Sequence, residues 1–347
     1  MPRPPSRPAR LIAVLVAALV ARLLAVMVAA LVSLAGAAQA GEAAAAPAPR
    51  EVTVGVYVSS LHGLDFGRET FRATFWLWAT QDDPGFKPAV DLEIVNAQSM
   101  QVEKEYRETL PDGRINDMIK VQAVLNQRWD VHHFPFDDQL ASIIVESVGS
   151  DAARLRLVPD ARNSAIEPSL RVTGWQTGGL ALAAADFVYR TNFGIEGAGY
   201  SAYSRLTASV AIERDALRVF FTAFVGFFVA AALMLLVAAV GAVATVRRAV
   251  DLRARLALAT AALFAAVGNK YVLDASLPFG GSFSLADVIE LATFAMIAFV
   301  ILVTVVAEWA DARQRPDLAT RASRIGLAVF AAVQFGLTGW YVAYAAA

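Results

Sequence analysis

Four apolar runs, each about twenty residues or longer, close the chain, with limits of about 216–246, 252–274, 285–309 and 323–345. A helix rises about 1.5 Å per residue, so some twenty apolar residues cover the roughly 30 Å of hydrocarbon in a bilayer. Lipid offers backbone groups no hydrogen-bond partner, which leaves helices as the form such runs take. Of the 347 residues 57% are hydrophobic and 18% charged, and the mean hydropathy is +0.51, outside the range of ordinary water-soluble domains. The formal net charge is −1, with no basic face to neutralise phosphates, so nucleic acid is not an expected partner. The chain has no cysteine, which removes disulfides, thiolate metal sites and cysteine nucleophiles. No nucleophile–base pair, phosphate loop or metal-ligand spacing stands out. Neither an enzyme, a metal nor a cofactor is expected.

The amino terminus has another character. Arg3, Arg7 and Arg10 precede an apolar stretch from Leu11 to Leu34, and Ala38-Gln39-Ala40 supplies the small residues of a cleavage site. Residues 1–40 have the layout of a secretory signal peptide, although Arg22 leaves an uncleaved anchor open. Residues 41–50, alanine and proline without periodicity, form a disordered spacer. Charge around the apolar runs gives orientation. Arg247, Arg248, Arg253 and Arg255 lie between the first two, and Arg313, Arg315, Arg321 and Arg324 between the last two. The connection from Ala275 to Ser284 has no basic residue. Arginine-rich connections stay on the cytoplasmic side, so both termini and the 51–214 region are expected outside.

Region 51–214 has β texture. Val52, Val54, Val56 and Val58 alternate with period two, Phe71 to Trp78 is aromatic and β-branched, and similar short runs occupy Met118–Val124, Leu140–Val145, Leu155–Val158, Leu180–Val188 and Leu206–Ile212. Turn residues such as Pro84-Gly85, Pro111-Asp112-Gly113 and Gly178-Gly179 separate them. About ten short strands at this spacing predict an antiparallel β-sandwich. Among them, Phe134-Pro135-Phe136-Asp137 cannot lie inside a central strand, because proline donates no ladder hydrogen bond. It reads as a rigid loop that presses aromatic rings on an apolar surface while Asp137 seeks a cation.

An exported β domain, four apolar helices and particular residues together are similar to a known family. Phe134-Pro135-Phe136-Asp137 with Gln139, the Gly174-Trp175 pair, Arg214 ahead of the first apolar run, and Leu277-Pro278 after the second resemble the pentameric ligand-gated ion channels (Cys-loop receptor superfamily), specifically their cysteine-free bacterial branch. The likeness covers about Val54 to the end. It implies an immunoglobulin-like extracellular sandwich followed by a four-helix membrane domain, assembled as a homopentamer in the bacterial inner membrane. It also implies a ligand between subunits, either a small molecule or the proton, and a pore for small ions lined by the second helix. Asp65, Phe134, Pro135, Phe136, Asp137, Arg214, Leu277 and Pro278 occupy the coupling positions, where Asp137 pairs with Arg214 and the Asp65 carboxylate joins them.

In the second run, Arg253, Ala257, Ala261, Phe264, Gly268, Tyr271 and Ala275 share one helical face. On the residues alone this face is one of small side chains through which spans pack closely. Under the resemblance it lines the pore, with Phe264 an apolar constriction, Tyr271 a ring above it and Arg253 a charged ring at the cytoplasmic mouth. Arg253-Ala254-Arg255 is closer to the anion-conducting branch than to the acidic pattern of cation channels, while Asp274 at the outer mouth pulls the other way. The implied ligand walls are Ser147–Asp151 and the Phe193–Ser204 hairpin, with Phe193, Glu196, Tyr200 and Tyr203 as binding residues. Aromatic rings there suit a cationic amine; they equally suit a covering of the sandwich. His132 and His133 are read as structural, since neighbours on a strand point to opposite faces. A non-conducting sensor of the same fold stays open, because Gly226 stands where the family has a proline. So does a membrane-anchored binding protein.

Overall fold

The computed structural model describes residues 48–194, 199–275, 277 and 284–345. The expected signal peptide, most of the spacer, Glu196 and Pro278 lie outside the described residues.

Ten strands form two sheets of mostly antiparallel strands among the described residues. They are β1 (Arg50–Asp65), β2 (Thr70–Gln81), β3 (Leu92–Ile94), β4 (Ala97–Thr109), β5 (Ile115–Asn126), β6 (Asp138–Ser147), β7 (Leu155–Pro159), β8 (Ala165–Ile166), β9 (Trp175–Tyr189) and β10 (Ser201–Arg214). One sheet runs β4-β5-β2-β1-β7 with β8 also on β1; the other runs β3-β6-β10-β9. The expectation of an all-antiparallel arrangement is corrected at β1, which pairs with β7 and β8 in parallel. A helix α1 (Pro88–Asp91) precedes β3.

The period-two pattern works as the sequence requires. Val52, Val54, Val56 and Val58 are fully buried on one side of β1, and they join Phe71, Phe75 and Leu77 of β2 and Ile143, Val145, Leu206 and Val210 of the other sheet in one core. Gly55 has a specific cause: a Cβ there would lie 2.2 Å from the Trp78 indole on the neighbouring strand. The absent side chain gives Trp78 its seat, and its Nε1–H donates to Asp160 at 3.0 Å.

Beyond β10 come helices α2 (Ala216–Ala223), α3 (Val225–Ala242), α4 (Ala244–Ala249), α5 (Leu252–Asp274), α6 (Leu285–Ala312) and α7 (Pro316–Ala331), then a π-helical stretch Ala332–Leu337 and α8 (Thr338–Ala345). Among the described residues, four segments are long and apolar enough to cross a bilayer: Val225–Ala242, Leu252–Asp274, Leu285–Ala312 and Pro316–Tyr344. This is the pattern of a multi-pass membrane protein. The second matches its sequence limits; the third and fourth are longer than expected. The first is corrected more deeply, since 216–246 is three helices broken at Phe224 and Val243. Arg253 and Arg255 sit inside α5, whose N-cap Asp251 accepts from the Ala254 amide at 2.7 Å.

Candidate functional site at the junction and along helix α5

The Phe134–Asp137 loop lies where β strands meet helices. Its Phe134–Pro135 peptide is cis. Phe134 packs against Phe224 with ring centroids 6.3 Å apart, and Phe136 against Phe220 at 5.7 Å. The His132 carbonyl accepts from the Leu285 amide at 3.3 Å, and His133 lies 5.7 Å from the Tyr344 ring. One loop therefore touches α2 and the break after it, the start of α6, and α8. The two histidines turn to different neighbours, with His132 Nδ1 at 2.9 Å from Asp130. They lie in a turn rather than on a strand. No metal-ligating cluster occurs among the described residues.

Asp137 and Arg214 meet as a two-pronged pair. Arg214 Nε and Nη2 donate to the carboxylate at 2.8 and 2.9 Å, and the side chains are 10% and 3% exposed. Both charges are thus taken from water and answered by geometry. Gln139 holds the other side of Asp137 at 2.6 Å, accepts from the Asp130 amide at 3.1 Å and donates to the Asp130 carbonyl. The guanidinium also lies over three rings, Phe66 at 5.0 Å, Phe134 at 4.9 Å and Trp175 at 4.1 Å. Here the structure corrects the expectation for Asp65. Its carboxylate accepts from the Arg68 amide at 2.8 Å, and its carbonyl accepts from the Trp129 indole; the third partner of the pair is aromatic. Leu277 is half-buried against the core, and its amide donates to Leu273 at 3.0 Å.

Along α5 the seven residues of the expected pore face, Arg253, Ala257, Ala261, Phe264, Gly268, Tyr271 and Ala275, are all exposed. The opposite face, with Arg255, Ala259, Ala262, Ala266, Asn269 and Leu273, is buried and packs toward α3 and α6. Phe264 and Tyr271 are each 72% exposed, a large apolar area with no cover among the described residues. The two arginines of the motif separate. Arg253 is exposed, whereas Arg255 is buried and donates to Glu308 of α6 at 2.6 Å. Arg247 is likewise buried on Asp311 at 2.8 Å.

No protein-family model matches the chain, and no curated protein sequence does.

The expected ligand residues come together only in part. Tyr189 is the hub: its ring lies 4.9 Å from Phe187, 5.6 Å from Phe193 and 5.7 Å from Tyr203. Tyr200 is 70% exposed and makes no ring contact among the described residues. Sequence reasoning missed Phe187, Tyr189, Glu146 and Arg205. The signal lay in the period of β9, where Phe187 and Tyr189 share a face, and in Tyr203 and Arg205 of β10, which do the same. Arg205 sits 3.5 Å from the Phe187 centroid and donates to the buried carboxylate of Glu146. The Tyr189 hydroxyl donates to Glu146 at 2.9 Å; burial first, then this bond, raises its pKa above the ordinary phenol value. Within the chain, the Arg205 guanidinium covers the Phe187 ring, and the Glu146 carboxylate is already paired with Arg205 and Tyr189.

Proposed function

We propose that the chain is one subunit of a pentameric ligand-gated ion channel, with α5 lining the pore and the two sheets stacked as an extracellular sandwich that binds its ligand between subunits. The observation that carries this reading is the two-sided α5 helix. One face is buried on its own subunit, and the other presents two large aromatic rings, small residues and a terminal arginine, all exposed among the described residues. Five copies of that face around an axis would cover it and form a bore, narrowest at Phe264.

Two further features support the reading. The shared core of both sheets suits a sandwich, and the Asp137–Arg214 pair ties the last strand to a loop seated on the helices, so that movement in the β domain has a mechanical route to the membrane. Arginines at one end of the helices favour an inner-membrane orientation with the β domain outside. The ligand is a small molecule or the proton, and surrounding lipid covers the remaining apolar faces. Mass measurement on detergent-purified protein tests the assembly: five chains per particle is the expected result. A monomer as the sole species refutes the pore and favours a membrane-anchored binding protein.

A further inference from the structure

An asparagine in the middle of an apolar helix needs hydrogen-bond partners, because hydrocarbon offers none. Asn269 of α5 is 7% exposed, and both ends of its amide are engaged across the gap to the preceding membrane segment. Its Oδ1 accepts from the Gly226 amide at 2.8 Å, and its Nδ2 donates to the Ala223 carbonyl at 2.8 Å. In an unbroken helix the Gly226 N–H would serve the Thr222 carbonyl, and the Ala223 carbonyl would accept from Phe227. Asn269 takes the place of these partners at the point where α2 ends and α3 begins.

The fit is close enough to dictate the neighbouring residue. A Cβ on Gly226 would lie 2.6 Å from Asn269 Cβ and 2.8 Å from the Ala265 carbonyl, so only glycine allows the two helices this approach. The break is also gripped from the other side. Phe224, fully buried at the break, meets Phe134, and Phe220, one turn earlier, meets Phe136. From the loop to α5 the contacts are continuous: Phe134 to Phe224, then the Ala223 carbonyl and Gly226 amide to Asn269. On α5, Gly268 precedes Asn269 and Tyr271 follows two residues on, both on the exposed face.

We infer that Asn269 is a positioning residue: it transmits displacement of the Phe134–Phe136 loop, through the helix break, to the part of α5 that carries Gly268 and Tyr271. The consequence for conduction rests on the channel reading, but the transmission itself does not, and the test can avoid currents altogether.

The chain lacks cysteine, so a Tyr271→Cys variant of the full-length protein has one thiol, and its rate of modification by a water-soluble methanethiosulfonate reports how that face is exposed. Phe134→Leu, added to this background, shrinks the ring that meets Phe224 and is expected to change the rate at least threefold. With Asn269→Leu also present, which keeps size but removes both hydrogen bonds, the same loop change should alter the rate by less than 1.5-fold. Asn269→Asp serves if the leucine variant does not assemble. It keeps an acceptor for Gly226, loses the donor to Ala223, and should give an intermediate change. An equal rate change with and without Asn269 overturns the inference, as does no change when Asn269 is intact. A protein that passes no current yet shows the expected rates would refute the channel reading and leave the transmission standing.

Discussion

Asp137→Ala would remove the partner of a guanidinium that is 10% exposed. The rings of Phe66, Phe134 and Trp175 stay around Arg214, so water cannot readily replace the lost carboxylate, and Gln139 loses an acceptor as well. Breaking a buried pair from one side costs about 3–5 kcal/mol. The persisting cation–π attraction holds the charge in place without answering it, which puts the expected loss near the lower end, about 3 kcal/mol. Asp138 is exposed, and Asp138→Ala should stay within about 0.5 kcal/mol. Denaturant titration of the detergent-solubilised protein, read by tryptophan fluorescence, compares the two. Adding Arg214→Met to Asp137→Ala should recover part of the loss, since no unpaired charge is then buried. Equal effects of Asp137→Ala and Asp138→Ala, or a double variant that loses the sum of both singles, would refute the argument.

Other consequences follow from the same structure. Arg253→Glu should move the reversal potential in a salt gradient toward cations, because Arg253 is exposed on the proposed pore face. Arg255→Gln should leave reversal unchanged and reduce assembly, because Arg255 is buried on Glu308. Asp130 bears on acid stability. The His132 amide, and then the His132 ring, hold its carboxyl below the usual range. A lowered carboxyl contributes stability above its unfolded value of about 3.9, and the contribution is lost as pH falls through the lower folded value. Thermal midpoints of wild type and Asp130→Asn should therefore differ at about pH 5, and the difference should shrink as pH falls below about 4.

Much of this was legible in the chain because the relevant patterns are local. Alternating valines gave β1, and a four–three step along the second apolar run gave the α5 face. The Phe-Pro-Phe-Asp loop gave Asp137 a cation to seek, and that cation is Arg214. What was missed depends on contacts between distant segments. β4 carries Glu103, Lys104, Glu105 and Arg107 and is almost wholly exposed, so no hydrophobic period marks it; its order comes from pairing with β5. The Ala223 carbonyl beside the break at Phe224 is answered by a side chain 46 positions away. Arg255 resembles Arg253 in sequence, and only the glutamate of α6 tells them apart. Asp65 followed a family position, yet Arg68 in the same turn already occupies its carboxylate. At the aromatic cluster, Tyr203 was visible, but Tyr189 and Arg205 gained meaning only once β9 and β10 were in register.

The most direct test of the pore is resting conductance in a planar bilayer, measured for wild type, Phe264→Ser and Tyr271→Ser at matched protein density. A ring of phenylalanines offers water no hydrogen bond, whereas tyrosine hydroxyls help to retain it, so Phe264 is the stronger barrier. The expected result is a clear rise in conductance for Phe264→Ser and a smaller one for Tyr271→Ser. The reverse order would put the barrier at Tyr271, and the absence of conductance in all three would contradict a pore lined by α5.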